Sequence, residues 1–159
     1  YRVSSGSHRW RTGTVRADDP SLTVRDEHDH LLPHQPLRAV VGEGDIPAGA
    51  KVLDGDAETI HLRDPLPRLV LQELFALGRR EVLVEGGPTV AAAFLRGGFV
   101  DEIVAYLAPV LLGAGPTSVA DLGIASISEA LRPKVVDVAV IDPVEPDDQP
   151  NIRLTLRPR

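Results

Sequence analysis

The sequence predicts an α/β fold with a mostly parallel central sheet, helices on both of its faces and an antiparallel strand pair at the C-terminal end. Three observations lead there. Short β-branched and apolar runs at residues 37–41 and 81–84 each lead into a glycine turn, as strands buried on both faces do. Segments of helical period alternate with such runs, and strands connected through helices run parallel. Lastly, the apolar runs 135–141 and 152–156 have only an acidic turn, Glu145-Pro146-Asp147-Asp148, between them. That is too short for a crossover helix, so they pair antiparallel.

In chain order, residues 1–16 mix Ser, Gly, Arg and His without periodicity and read as loop or broken pieces. Asp18, Asp19 and Pro20 are turn chemistry: the carboxylates bond nearby backbone N–H groups and proline fixes φ. Residues 22–25 read as the start of an extended segment and 26–35 as a polar, His-rich loop. The run 37–41 is a strand stopped by Gly42, and 51–53 and 58–62 are weaker strands. Asp64 is placed to cap a helix with Pro65 at its first position; Leu66, Leu69, Val70, Leu74 and Leu77 then recur at helical spacing until Gly78. Strand 81–84 enters Glu85-Gly86-Gly87-Pro88, and 89–95 is an Ala-rich helix ending at Gly97-Gly98. Residues 103–107 are a further strand, and the Gly- and Ser-rich stretch 111–127 is an excursion over the surface.

Composition narrows the function classes. The chain has 159 residues, 43% hydrophobic and 25% charged, enough for one globular domain spanning 1–159. A net charge of -6 with scattered basic residues gives no footprint for a nucleic-acid backbone. No apolar run approaches the ~20 residues of a membrane span and no basic-then-apolar leader opens the chain, so a cytoplasmic protein is expected. Without cysteine there is no thiolate metal site, disulfide or cysteine nucleophile, and any redox chemistry must come from a bound cofactor. The absence of methionine suggests that the sequence is part of something longer.

In such sheets ligands bind beyond the carboxyl ends of the strands, which draws attention to Gly42 and to Glu85-Gly86-Gly87. Two glycines between a strand and a helix let a ligand approach the backbone, and the helix start adds N–H groups suited to a pyrophosphate. A tight connection alone would also use them. Glu85 adds a carboxylate able to accept hydrogen bonds from an amino-pyrimidine or a sugar hydroxyl. Arg25 offers a planar donor fork for a phosphate, against the plainer reading of a surface ion pair. His28, His30 and His34 match no compact ligand spacing and read as a solvated loop, so no metal site is expected. His61 reads as a strand-edge residue, and Trp10 suits a core or a cofactor platform equally. No dinucleotide fingerprint, Walker loop, nucleophile elbow or zinc-hydrolase motif is present.

Thr12-Gly13-Thr14-Val15-Arg16-Ala17-Asp18-Asp19-Pro20, followed by Leu22-Thr23-Val24-Arg25, resembles the segment that identifies the reductase domain of bifunctional riboflavin-biosynthesis deaminase/reductases. Val84-Glu85-Gly86-Gly87-Pro88-Thr89, Phe94-Leu95, Val100-Asp101-Glu102 and Ala108-Pro109-Val110-Leu111-Leu112-Gly113 follow in that family's order. The resemblance implies a dihydrofolate-reductase-like fold and NADPH as hydride donor. It also implies a 5-amino-6-(5-phosphoribosylamino)uracil substrate, whose ribosyl group becomes ribityl. By motif position it implies Trp10, Thr14 and Asp18 on the NADPH side, with Gly86, Gly87, Pro88, Thr89, Val90, Ala91, Ala92 and Ala93 forming the pyrophosphate turn. It implies Leu22, Arg25 and Glu85 on the substrate side. His8 stands where the family usually has a serine.

No catalytic base is assigned, because hydride transfer to an open-chain imine needs orientation and anchoring more than a nucleophile. The companion deaminase needs cysteine ligands for zinc, so only the reductase half can be present, with a deaminase domain fused or separate and a homodimer expected. Val100, Ile103, Val104 and Leu107 are the apolar residues a second copy would cover. The family's pattern further implies a first strand before Arg2, and a helix plus a strand between Trp10 and Arg11, that this sequence lacks; the N-terminal part before residue 11 is therefore expected to be incomplete or discontinuous. The alternatives are another dihydrofolate-reductase-like pyrimidine or folate reductase, and a catalytically silent nucleotide-binding or dimerisation domain.

Overall fold

A computed structural model describes residues 2–4, 13–142 and 149–159, the first five of them by backbone alone. The elements are β1 (Arg2–Ser4), α1 (Gly13–Asp18), β2 (Arg38–Val41), a 3-10 turn (Lys51–Leu53), β3 (Thr59–Leu62), α2 (Pro67–Ala76), β4 (Leu83–Val84), α3 (Pro88–Arg96), β5 (Ile103–Leu107), β6 (Lys134–Ile141) and β7 (Asn151–Arg157). They fall into two units. One comprises Tyr1–Gly97 with Thr117–Leu122, the other Gly98–Pro116 with Gly123–Arg159.

The first unit holds a four-stranded sheet in the order β3-β2-β1-β4, all neighbours parallel. β2 reads Arg-Ala-Val-Val and every residue of it is buried, which is why it appears in the sequence as a run rather than an alternation. The chain moves one way along the sheet from β1 to β2 and the other way from β3 to β4. Right-handed crossovers therefore set α1 and α2 on opposite faces. On the α1 face Val15, Leu22, Val40, Ala50 and Val52 form a buried cluster with Ile46 against it. Burying each valine or leucine there contributes about 1.5–3 kcal/mol. Alternation turns Ala39 and Val41 to the other face, and both are essentially inaccessible.

α2 keeps the expected helical stripe, with Val70 and Leu74 buried, but starts two residues later than Asp64 suggested. Asp64 Oδ1 accepts from the Leu66 N–H at 3.0 Å, so it closes the turn ahead of the helix, and Pro67 rather than Pro65 takes the first helical position. α3 begins at Pro88 with Gly87 as N-cap and buries Val90, Ala92, Ala93 and Phe94. Segment Thr117–Leu122 of the long excursion lies along this helix: the Ala120 N–H donates to Pro88 O at 3.0 Å, and Arg96 Nη1 to Asp121 O at 3.0 Å.

The second unit is a three-stranded antiparallel sheet in the order β5-β7-β6. The expected pair of β6 and β7 is present, with a register shift between Val135 and Asp137, and β5 extends it on the far side of β7. Arg157 Nη2 to Glu102 and Arg153 Nη2 to Asp137, both 3.1 Å, tie the strands at their surface.

Three expectations are corrected. The patternless N-terminus contains β1, which bonds to β2 and β4 on its two edges, and residues 13–18 form α1. Three residues are too few to show a period, and β1 is a strand because of its neighbours. Residues 51–53 form a 3-10 turn rather than a strand, since the Leu53 and Asp54 N–H groups bond back to Ala50 and Lys51. Residues 22–25 are not a strand either: Leu22 has φ 50°, and Arg25 makes only an isolated bridge to Leu31. The Trp10–Arg11 junction and the turn at 145–148 lie outside the described residues.

Candidate ligand crevice

Because β1 connects toward β2 while β4 is reached from the opposite direction, the chain reverses between β1 and β4. A crevice beyond their carboxyl ends is where open α/β sheets take ligands. Glu85, Gly86 and Gly87 follow β4 directly into this region. Glu85 is exposed. The two glycines differ in what they do. A Cβ on Gly86 would lie 2.7 Å from Val90 Cβ and 2.8 and 3.0 Å from its methyl carbons, so Gly86 is bare because α3 packs on it. Gly87 has φ -64° and ψ 178°, a conformation open to any residue.

At the start of α3, the Val90 and Ala91 N–H groups already bond to Gly87 O at 3.0 and 3.2 Å, and Pro88 has no N–H. The first-turn donors that a helix leaves without a partner four residues back therefore belong to Gly87 and Thr89. Val90, Ala92 and Ala93 turn their side chains into the core, and Ala91 is half-buried. Within the 86–93 segment the N–H groups left for a ligand therefore lie at its start, no further along than Thr89.

On the α1 face, the second candidate segment runs from Thr14 to Arg25. Thr14 lies in the first turn of α1, and Asp18, exposed, is its last residue. Asp19, at φ 41°, bends the chain away, and its Oδ1 accepts from the Lys51 N–H at 2.9 Å. Val15, Arg16, Asp19, Pro47, Gly49 and Ala50 line an open cleft of about 380 Å³ here. Leu22 is buried in the α1-face cluster. Arg25 donates to Asp29 O at 2.8 Å and lies 3.6 and 4.0 Å from the Asp29 and Asp56 carboxylates. The fork expected for a phosphate is thus held by two acids in this conformation.

The histidine-rich loop closes on itself. Asp26 Oδ1 accepts from the His28 and His30 N–H groups at 2.9 Å each, and these bonds, with the His30 ring, hold the Asp26 carboxyl below its usual range. His61, on outer strand β3, reaches Gly42 O with Nε2 at 2.7 Å. Gly42, at the end of β2, has φ 135°, which only glycine adopts without strain. Beside it, Arg63 bonds Asp45 at 2.9 Å and lowers the Asp45 carboxyl.

The sequence reading overlooked Arg38, which sits inside the run taken as an apolar strand. It is fully buried. Its Nε donates to Thr59 Oγ1, Nη1 to Ser21 O, Lys51 O and Asp54 Oδ1, and Nη2 to Asp54 O and Ala57 O, at 2.5–3.2 Å. Thr59 Oγ1 in turn donates to Val52 O. A charged residue in a buried strand was the signal available, since such a residue needs a full set of partners. Trp10 lies outside the described residues.

The fold is that of an α/β domain with a four-stranded parallel sheet, whose strand order reverses between β1 and β4, and an antiparallel three-stranded sheet. A family model described as the RibD C-terminal domain matches residues 5–144. The riboflavin biosynthesis protein RibD of Mycobacterium tuberculosis is 49% identical over 132 residues, which cover 83% of this chain and 38% of that protein. The RibD of Bacillus amyloliquefaciens is 30% identical over an alignment of 191 positions, which covers all of this chain and 48% of the relative. The alignment is longer than the chain, so the relative carries segments that this one lacks. The structure of Acinetobacter baumannii RibD superposes with a TM-score of 0.75 at 27% identity, covering 99% of this chain and 46% of that one. A Thermotoga maritima protein named as a diaminohydroxyphosphoribosylaminopyrimidine deaminase/5-amino-6-(5-phosphoribosylamino)uracil reductase also superposes at 0.75, and at 21% identity shows the shared fold alone. This chain belongs to the RibD C-terminal domain family and has its dihydrofolate-reductase-like fold. It spans less than half the length of these relatives. No helix among the described residues is long and apolar enough to cross a membrane.

Proposed function

We propose that the chain, as a single reductase domain, reduces 5-amino-6-(5-phosphoribosylamino)uracil to its ribityl form with NADPH, a step of riboflavin biosynthesis. The observation that carries this is the family membership over residues 5–144. The geometry supports it: the Gly87-capped start of α3 opens beyond β4, next to the reversal point of the sheet. In this reading the Gly87 and Thr89 N–H groups take the NADPH pyrophosphate, with Pro88 and the buried Val90, Ala92 and Ala93 fixing their direction. Ala91 and Gly86 complete the turn, Asp18 approaches the cofactor from α1, and the resemblance assigns Thr14 and Trp10 to the cofactor as well.

The substrate side consists of Leu22, Glu85 and Arg25. Arg25 exchanges Asp29 and Asp56 for the ribose phosphate, a charge-assisted and bidentate contact. NADPH supplies a hydride. The chain's residues orient the open-chain imine and exclude water from it, and no catalytic base is assigned. The rest of the relatives' length is read as the deaminase that supplies the substrate, fused to this domain or separate. We place the protein in the cytoplasm. A homodimer is proposed, with a second copy covering the exposed Val104 and Leu107 and the half-buried Val100 and Ile103. A monomeric mass at micromolar concentration would remove that part.

The deciding experiment is NADPH oxidation by the purified chain with the deaminated pyrimidine, and with dihydrofolate as the competing substrate. Oxidation dependent on the pyrimidine supports the reading. Preference for dihydrofolate, or NADPH binding without turnover, overturns it.

A further inference from the structure

We infer that Asp19 is a positioning residue for the substrate side, acting through the segment that carries Leu22 and Arg25; the inference rests on the substrate role given to those two residues above. Asp19 and Leu22 are both non-glycine residues in the left-handed region, at φ 41° and 50°. L side chains avoid that region unless their surroundings hold them there, and such residues cluster where a loop must present groups in one geometry.

The surroundings here hold the segment at three points. Asp19 Oδ1 accepts from the Lys51 N–H at 2.9 Å, at the head of the 3-10 turn. The Ser21 carbonyl accepts from buried Arg38 at 3.0 Å. Val24 exchanges two hydrogen bonds with the Gln35 side chain, both 2.8 Å. The second and third ties use backbone of the segment. Of these three ties, that of Asp19 is the one made by a side chain of the segment, and it lies at the bend between Asp18 and Leu22. Lys51 and Asp54 are joined to the same guanidinium as Ser21, and Asp56, whose N–H bonds Asp54 Oδ1 at 3.1 Å just beyond that turn, faces Arg25 at 4.0 Å. Releasing Asp19 shifts the aim of Arg25 without touching substrate.

The test is steady-state kinetics and amide hydrogen exchange on the full chain carrying Asp19→Ala, Asp19→Asn, Arg25→Ala and the Asp19→Ala/Arg25→Ala pair. Asparagine keeps an Oδ1 acceptor and tolerates the left-handed region. The expected result is a roughly tenfold rise in KM for the pyrimidine in Asp19→Ala with kcat within about twofold, near-normal KM in Asp19→Asn, and faster exchange at Lys51 and 21–25 in the alanine variant only. The double variant is expected to be no worse than the worse single one, because the two residues act through one contact. Unchanged KM in Asp19→Ala overturns the inference, as does an asparagine variant as impaired as alanine or multiplicative losses in the pair. If Arg25→Ala leaves KM unchanged while Asp19→Ala still loosens 21–25, it is the substrate role of Arg25 that fails, and the tie is then structural only.

Discussion

Arg38 bonds Asp54 at 2.8 Å from a position with no solvent exposure, and spends its remaining donors on four backbone carbonyls and one hydroxyl. The contact joins the floor of β2 to the 51–57 loop and the 19–25 segment. Arg38→Leu would fill part of the volume but take the guanidinium donors away from the Ser21 and Ala57 carbonyls. A loss of about 1–3 kcal/mol is expected for each buried acceptor left without a donor. Denaturant unfolding of the variant against the parent measures it.

Acid should find the same contact. The hydrogen bond from Arg38, helped by the Asp56 N–H, holds the Asp54 carboxyl below its usual 3.8. A carboxyl lowered by folding binds fewer protons in the folded than in the unfolded chain. Its contribution is therefore complete above the unfolded value and disappears as pH falls through the folded one. Asp54→Asn should differ from the parent by a constant amount at neutral pH, and the gap should close as unfolding is followed below about pH 4.

Gly86 is expected to reject even a methyl group. In Gly86→Ala the new Cβ meets Val90 Cβ at 2.7 Å, and Val90 is 1% exposed. The expected cost is about 1–3 kcal/mol. Val90→Ala removes the two methyl contacts but keeps the Cβ, whereas Val90→Gly removes all three; paired with Gly86→Ala, the glycine variant should therefore fall further below the sum of its single losses than the alanine variant does, which denaturation of the singles and pairs would reveal.

Gly87 is the contrasting case. Its φ and ψ suit any residue, so Gly87→Val should remain folded, while the branched side chain crowds the N–H groups at the start of α3. The variant should bind NADPH at least tenfold more weakly, read by fluorescence titration, with an unfolding midpoint close to the parent's. Unchanged affinity would remove the pyrophosphate from this turn.

Much of the fold was legible along the chain because its signals are local. β2, β3, α2, α3, β5, β6 and β7 were each marked by period or by a glycine or proline stop, and the antiparallel pairing of β6 with β7 followed from a connection too short for a helix. The elements that escaped, β1, α1 and the 3-10 turn at 51–53, are three to six residues long. β1 and α1 lie in a stretch of Ser, Gly, Arg and His that carries no bounded apolar run, and β1 is a strand because of its bonds to β2 and β4.

For the proposed site, residue types and motif order singled out the candidate segments, a Gly-Gly turn between strand and helix and an arginine beyond an Asp-Asp-Pro bend. Only tertiary structure decided what each residue does there. Gly86 serves Val90, leaving Gly87 and Thr89 as the open donors, because a Cβ clash depends on where α3 lies and not on the glycine itself. Arg25 is gripped by Asp29 and Asp56, and Arg38 gathers partners from positions 21 to 59, because hydrogen bonds are made between neighbours in space that the chain separates by up to 31 residues in the case of Asp56. Sequence carries the functional groups, and the packing of the parallel sheet sets the distances at which they act.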